Sequence, residues 1–308
     1  MIRRILDYIT AQVAAAPDLE KFGNPSLKRI ILLLAVALFI GGIALSIHLQ
    51  PDIFSNLDWR PLVVLMAFAV PINIFLNALE FRLSARLINR SVGFGNALEI
   101  TVIGSAANML PLPGAALTRL VGLKAAGGSY REGAAVTGLI ALLWLGVALT
   151  VAGAAIALLD DDLLGSLFIA AGIIVMFAAL AAMVKISRDW PLSFLTATVK
   201  VLFVALDATR LYLCLIGLGI DANYLQASAF VVASVVGSAV SIVPAGLGIR
   251  EAASAALAPV VGLAASVGFL ATALNHLLGM LVLLPLAFGL AFRLRASESV
   301  ASRRNTQP

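Results

Sequence analysis

Long apolar stretches alternate along the chain with short clusters of basic residues. Six of them, Lys28 to Leu49, Pro61 to Leu87, Gly133 to Leu159, Leu163 to Val184, Leu192 to Ile220 and Ala265 to Leu290, reach the roughly 20 residues that cross a bilayer core of about 30 Å. They predict six transmembrane helices. Two further apolar stretches predict something else. Asn96 to Leu110 is short and has basic clusters on both flanks, so a full crossing would put one cluster on the wrong face. It must enter and return, and "NMLPLPGAALTR" supplies the tip: Pro111 and Pro113 end a helix, Gly114 permits the reversal and Arg119 rides the returning arm. By the same counting Tyr224 to Val243 enters from the other face, "PAGLG" (Pro244, Gly246, Gly248) turns it, and Ile249 to Leu263 returns. Irregular backbone at membrane depth is tolerated only against protein or water, so both tips are expected to line a cavity.

Composition agrees with this pattern. Of 308 residues 61% are hydrophobic and 12% charged, with mean hydropathy +1.04. This excludes an ordinary soluble domain and predicts an all-α polytopic membrane protein. The single cysteine, Cys214, rules out an internal disulfide and leaves no thiol cluster for a metal. Residues 1–27, with "IRRILDYI", read as an interfacial amphipathic segment. A cleaved signal peptide is the alternative for the first span, but no small-residue cleavage site follows it. Residues 28–292 form the transmembrane domain, and 293–308 a polar tail expected to be disordered.

Charge sets orientation. The segments before residue 30, Arg82 to Arg90, Arg119 to Arg131, Lys185 to Arg188 and from Arg293 onward hold 17 of the 21 basic residues. Short loops rich in lysine and arginine stay in the cytoplasm, which places both termini there and the protein in the cytoplasmic membrane. Loops carrying Asp52, Asp58, Asp160 to Asp162 and Asp221 are expected outside.

A shift of 131 residues lays "DW" at Asp58 onto "DW" at Asp189, Pro113 onto Pro244, and Arg119 onto Arg250. With the topology above, the two halves run in opposite senses. Inverted repeats with broken helices near the midplane are an architecture of alternating-access transporters. A repeat left by gene duplication, with no transport role, is the alternative.

Charged residues inside such segments are costly and mark candidate sites. Arg119 and Arg250 each follow a tip proline by six residues, and a guanidinium fork matches phosphate bidentately. An anionic headgroup is one reading; an ion pair joining two helices is the other. Glu251 neighbours Arg250 but points elsewhere, so it needs a different partner or a proton. Asp207 and Arg210 share a helical face at i,i+3, which reads first as a mutual ion pair and second as part of a headgroup path. Glu80, Arg82 and Arg86 read as interfacial anchors. Glu99 and Asn108, inside the first hairpin, remain candidates for substrate contact.

The regions "NMLPLPGAALTRLVGLKAAGGSYREGAA" and "SIVPAGLGIREAA" resemble the two signature regions of the lysylphosphatidylglycerol synthase transmembrane family, over roughly residues 30–292. The resemblance implies a flippase-like domain, a form that also occurs free-standing and in some lipid glycosylation and hopanoid gene sets. Members often carry an acidic residue shortly after the first glycine, where this chain has "AALT", and an arginine in the last span, where it has Asn275 and His276. The family's soluble aminoacyl-transferring domain is not in this sequence, so no synthase activity is implied. The expected function is translocation or presentation of an anionic or glycosylated lipid, hopanoid or aminoacylated lipids included. An accessory subunit of a lipid-modifying enzyme or glycosyltransferase is the alternative. No cofactor, metal, catalytic residue or nucleic-acid partner is expected. The acidic run lacks the second motif a Mg²⁺-dependent prenyl-type enzyme needs, and no Walker loop is present.

Overall fold

The computed structural model describes residues 25–108, 114–159, 162–239 and 246–305, and every regular element among them is helical. In chain order these are α1 (Pro25–Leu49), α2 (Trp59–Leu87), α3 (Phe94–Ala107), α4 (Gly114–Ala125), α5 (Tyr130–Leu159), α6 (Asp162–Ser187), α7 (Trp190–Gly217), α8 (Tyr224–Ala239), α9 (Ile249–Leu257) and α10 (Ala265–Asn305). The helices α1, α2, α5, α6 and the Ala265–Leu290 part of α10 have the length and apolar composition to cross a membrane. The sixth expected crossing, α7, has 28 residues. It carries Lys200, Asp207 and Arg210, and both Lys200 and Asp207 are buried. The protein is an all-helical, multi-pass membrane protein.

Trp59 and Trp190, 131 residues apart, open α2 and α7 in the same way. Asp58 caps the first by accepting the Arg60 N–H at 2.9 Å, and Asp189 caps the second by accepting the Leu192 N–H at 2.9 Å. Pro61 and Pro191 occupy the first turns, where a missing N–H costs nothing. From there the element order recurs, α2-α3-α4-α5 against α7-α8-α9-α10: long, short, short, long.

Within α2 the Val70 N–H reaches back five residues to the Leu65 carbonyl, which opens a π turn over Leu65–Ala69. The next residue, Pro71, has no N–H and crowds the turn before it, and the wider turn accommodates it. Helices α5 and α6 pack through small residues. A side chain at Gly153 would come 2.7 Å from the Gly165 carbonyl oxygen, and one at Gly172 2.6 Å from the Thr150 nitrogen. In lipid such close backbone approach is a main source of helix association. Helix α1 exposes most of its surface and docks on α10 through Phe39 and Phe269.

Three expectations need correction or placement. The tail after Arg295, expected to be disordered, continues α10 as helix to Asn305; "RASESVASRR" contains no glycine or proline to stop it. Gly246 and Gly248 were expected to turn the chain at the second tip. Both have positive φ, +69° and +83°, and Gly246 presses on Gly237 of α8 and Gly248 on the Ala35 carbonyl of α1. The amphipathic segment up to Asn24, the tip prolines Pro111, Pro113 and Pro244, and Asp160 and Asp161 lie outside the described residues.

Candidate functional site

Both helix pairs, α3 with α4 and α8 with α9, face one cavity of about 410 Å³ that the long helices α2, α5, α7 and α10 also line. Its lining holds four basic side chains, Arg119, Lys200, Arg210 and Arg250, against two carboxylates, Glu80 and Asp207. A surplus of two positive charges in an otherwise apolar helix bundle makes the cavity attractive to an anion.

One wall is built on α2. Asn73, Asn77 and Glu80 recur at i, i+4 and i+7, so one helical face presents all three. Asn77 Nδ2 donates to the Asn73 backbone oxygen at 3.0 Å and to its Oδ1 at 3.1 Å. Arg119 on α4 donates through Nη1 to Glu80 Oε1 at 2.5 Å and through Nη2 to Asn77 Oδ1 at 3.3 Å. The other Glu80 oxygen pairs with Lys200 of α7. Trp144 and Phe203 flank that ammonium, with ring centroids at 5.4 and 4.6 Å. Glu80 is only 1% exposed. Its reading as an interfacial anchor is therefore wrong: its face of α2 turns inward, where a carboxylate persists only because two cations meet it. Arg82 is half-buried and Arg86 exposed, and neither reaches the cavity.

The opposite wall is less completely paired. Arg210 and Asp207 form the i,i+3 pair that the sequence predicts, at 3.7 Å, and both line the cavity. Arg250, at the start of α9, meets the Ser238 hydroxyl at 3.4 Å. Among the described residues it has no carboxylate partner within 4.0 Å. The Nε atoms of Arg210 and Arg250, Asp207 Oδ2, Asn73 Nδ2 and Thr101 Oγ1 are buried without a hydrogen-bond partner, and all five residues line this cavity. Unmet donors and acceptors gathered around one space favour a polar occupant, water or ligand.

The remaining candidates hold the frame. Asn108 Oδ1 accepts the Ala115 N–H at 2.8 Å and so braces the first tip, and a side chain at Gly114 would run into Ala107. Glu251, fully buried, accepts the Gly248 N–H at 2.6 Å and meets His276 Nδ1 at 3.0 Å. Three residues on, Ser254 accepts from the Thr272 hydroxyl at 2.7 Å. These two contacts fasten α9 to α10. Glu251 and Glu99 both stand outside the cavity lining.

Sequence reasoning missed Lys200, and it missed Glu80 as a cavity residue. The inward spacing of Asn73, Asn77 and Glu80 was the available signal; Lys200, a lone lysine in an apolar span, was the other.

Residues 186–287 match the family described as "Lysylphosphatidylglycerol synthase TM region". This similarity covers about a third of the chain. The matched third contains Asp207, Arg210, Arg250, Glu251 and His276, whereas Glu80 and Arg119 precede it. No curated protein and no solved structure matches the chain. That similarity points to a membrane protein related to lipid modification or flipping.

Proposed function

We propose that the protein moves or presents a lipid with an anionic headgroup across the cytoplasmic membrane, the headgroup entering the charged cavity while the acyl chains stay in lipid. One observation carries this reading: Arg250 lines the cavity with no carboxylate partner among the described residues. The Arg250 side chain is half-buried, and its Nε is buried without a hydrogen-bond partner; an oxyanion or water completes such a donor, and a phosphodiester fits its fork. The topology proposed with it has six crossings and two re-entrant hairpins, α3/α4 from the cytoplasm and α8/α9 from outside, in an inverted repeat with both termini cytoplasmic. The recurring helix order and the matched Asp caps of α2 and α7 support that repeat. In an inverted repeat, Arg119 and Arg250 approach one cavity from opposite membrane faces, as alternating access requires.

The second reading is an accessory subunit that offers the lipid to a modifying enzyme. It shares the cavity and differs in needing a partner. Purified protein in liposomes separates the two: leaflet-resolved movement of a labelled anionic lipid without any second protein supports the translocase. Binding without movement supports the accessory subunit.

A further inference from the structure

The two hairpin arginines differ in a way that the repeat does not require. Among the described residues Arg250 has only a hydroxyl, while Arg119 is engaged by Glu80. Glu80 bridges two cations, one oxygen to each, and so leaves the group Arg119, Lys200 and Glu80 with a net positive charge. Nor does it satisfy the Arg119 fork: Nη1 takes the carboxylate, and Nη2 falls back on the Asn77 amide at 3.3 Å. A phosphate could take both Nη donors in parallel. Lys200 would stay in place without Glu80, because Trp144 and Phe203 hold its ammonium from the other side.

We infer that Arg119 and Lys200 form a second anion station in the cavity, now filled by the Glu80 carboxylate, which a lipid phosphate displaces. This rests on the reading that the cavity accepts an anionic headgroup, and it deepens that reading. Glu80 is an internal competitor. It neutralises the station when no lipid is present and keeps the station from binding a phosphate too tightly to release. A path with two stations, one open at Arg250 and one occupied by a displaceable carboxylate, meets the general need that a site admit its ligand and still let it go.

The test measures binding of dioctanoyl phosphatidylglycerol to the purified full-length protein in an uncharged detergent. Glu80→Gln should bind it about tenfold or more tightly than wild type, the gain expected when a charge-assisted contact is freed. Arg119→Ala in the Glu80→Gln background should cancel that gain, and Arg250→Ala in the same background should not. Since Glu80→Gln leaves buried Lys200 beside Arg119 without a carboxylate and could unfold the protein, the double variant Glu80→Gln/Lys200→Met restores the group's net charge and should keep a gain that still depends on Arg119. Repeating the titration with inorganic phosphate identifies the source. A gain with both probes assigns the phosphate group itself, and a gain with the lipid alone assigns a membrane lipid; both uphold the station. Unchanged or weaker binding in Glu80→Gln and in the double variant overturns it, whatever wild type does. Failure of the wider reading looks different: wild-type binding that is absent, or indifferent to Arg250→Ala, removes the open station and leaves the Glu80 comparison standing.

Discussion

Arg119 and Arg250 stand 131 residues apart and face the same cavity, yet Arg119 donates to a buried carboxylate at 2.5 Å while Arg250, among the described residues, meets only the Ser238 hydroxyl at 3.4 Å. Stability and function should therefore separate at Arg250. Removing it orphans no carboxylate and loses one weak hydrogen bond, so Arg250→Ala should cost no more than about 1 kcal/mol. Thermal unfolding in detergent checks this. A collapse of folding would mean that Arg250 has an ionic partner, and the open-site reading would fail.

Glu80→Ala should behave in the opposite way. It leaves buried Lys200 and half-buried Arg119 uncompensated, which costs roughly 3–5 kcal/mol. The same unfolding experiment should show a far larger loss than for Arg250→Ala, and equal losses would refute the bridging role.

At the α9–α10 contact, Glu251→Ala removes both the acceptor for the Gly248 N–H and the partner of His276. Its cost should be about 2 kcal/mol. Because Glu251 stands outside the cavity lining, the residual anion binding per folded molecule should change little. Loss of binding with unchanged stability would move Glu251 from the frame to the site.

Gly246→Ala meets two obstacles at once, a φ of +69° and the Gly237 backbone, whose Cα would lie 2.8 Å from the new Cβ. The change should shift α9 on α8 and weaken both anion binding and lipid movement. Gly289→Ala, with open space around it, is the control and should be harmless. Normal movement in Gly246→Ala would show that the second hairpin's packing does not matter to the path.

Topology is checked by labelling single cysteines in intact cells in a Cys214→Ser background. A cysteine at Asp221 should react from outside, and cysteines at Arg90 and Lys124 should not. Outside labelling at Lys124 would turn α3 and α4 into a crossing and end the inverted-repeat proposal.

Five of the six expected spans were legible because each is a long apolar run, while "DW", read only as a repeat marker, holds an N-cap at each site. Asp207 with Arg210 was legible because the two stand three residues apart on one helix. What stayed hidden depended on distance in the chain. Glu80 meets Arg119 39 residues on and Lys200 a further 81, and no local pattern pairs them. Read alone at the end of a span and near two arginines, Glu80 looked like an anchor. Its spacing with Asn73 and Asn77 pointed inward instead. The glycines of "PAGLG" were legible as a turn, but the sequence could not say what the turn packs on; the neighbours are Gly237 and Ala35.

The central claim, that an anionic headgroup passes through this cavity at Arg250, is tested most directly by leaflet-resolved movement of phosphatidylglycerol in liposomes containing only the purified protein. Wild type should accelerate movement over protein-free liposomes. Arg250→Lys, which keeps the charge and loses the fork, should retain part of that rate, and Arg250→Ala, inserted and monodisperse, should fall to the protein-free rate. Movement by Arg250→Ala at the wild-type rate would contradict the account.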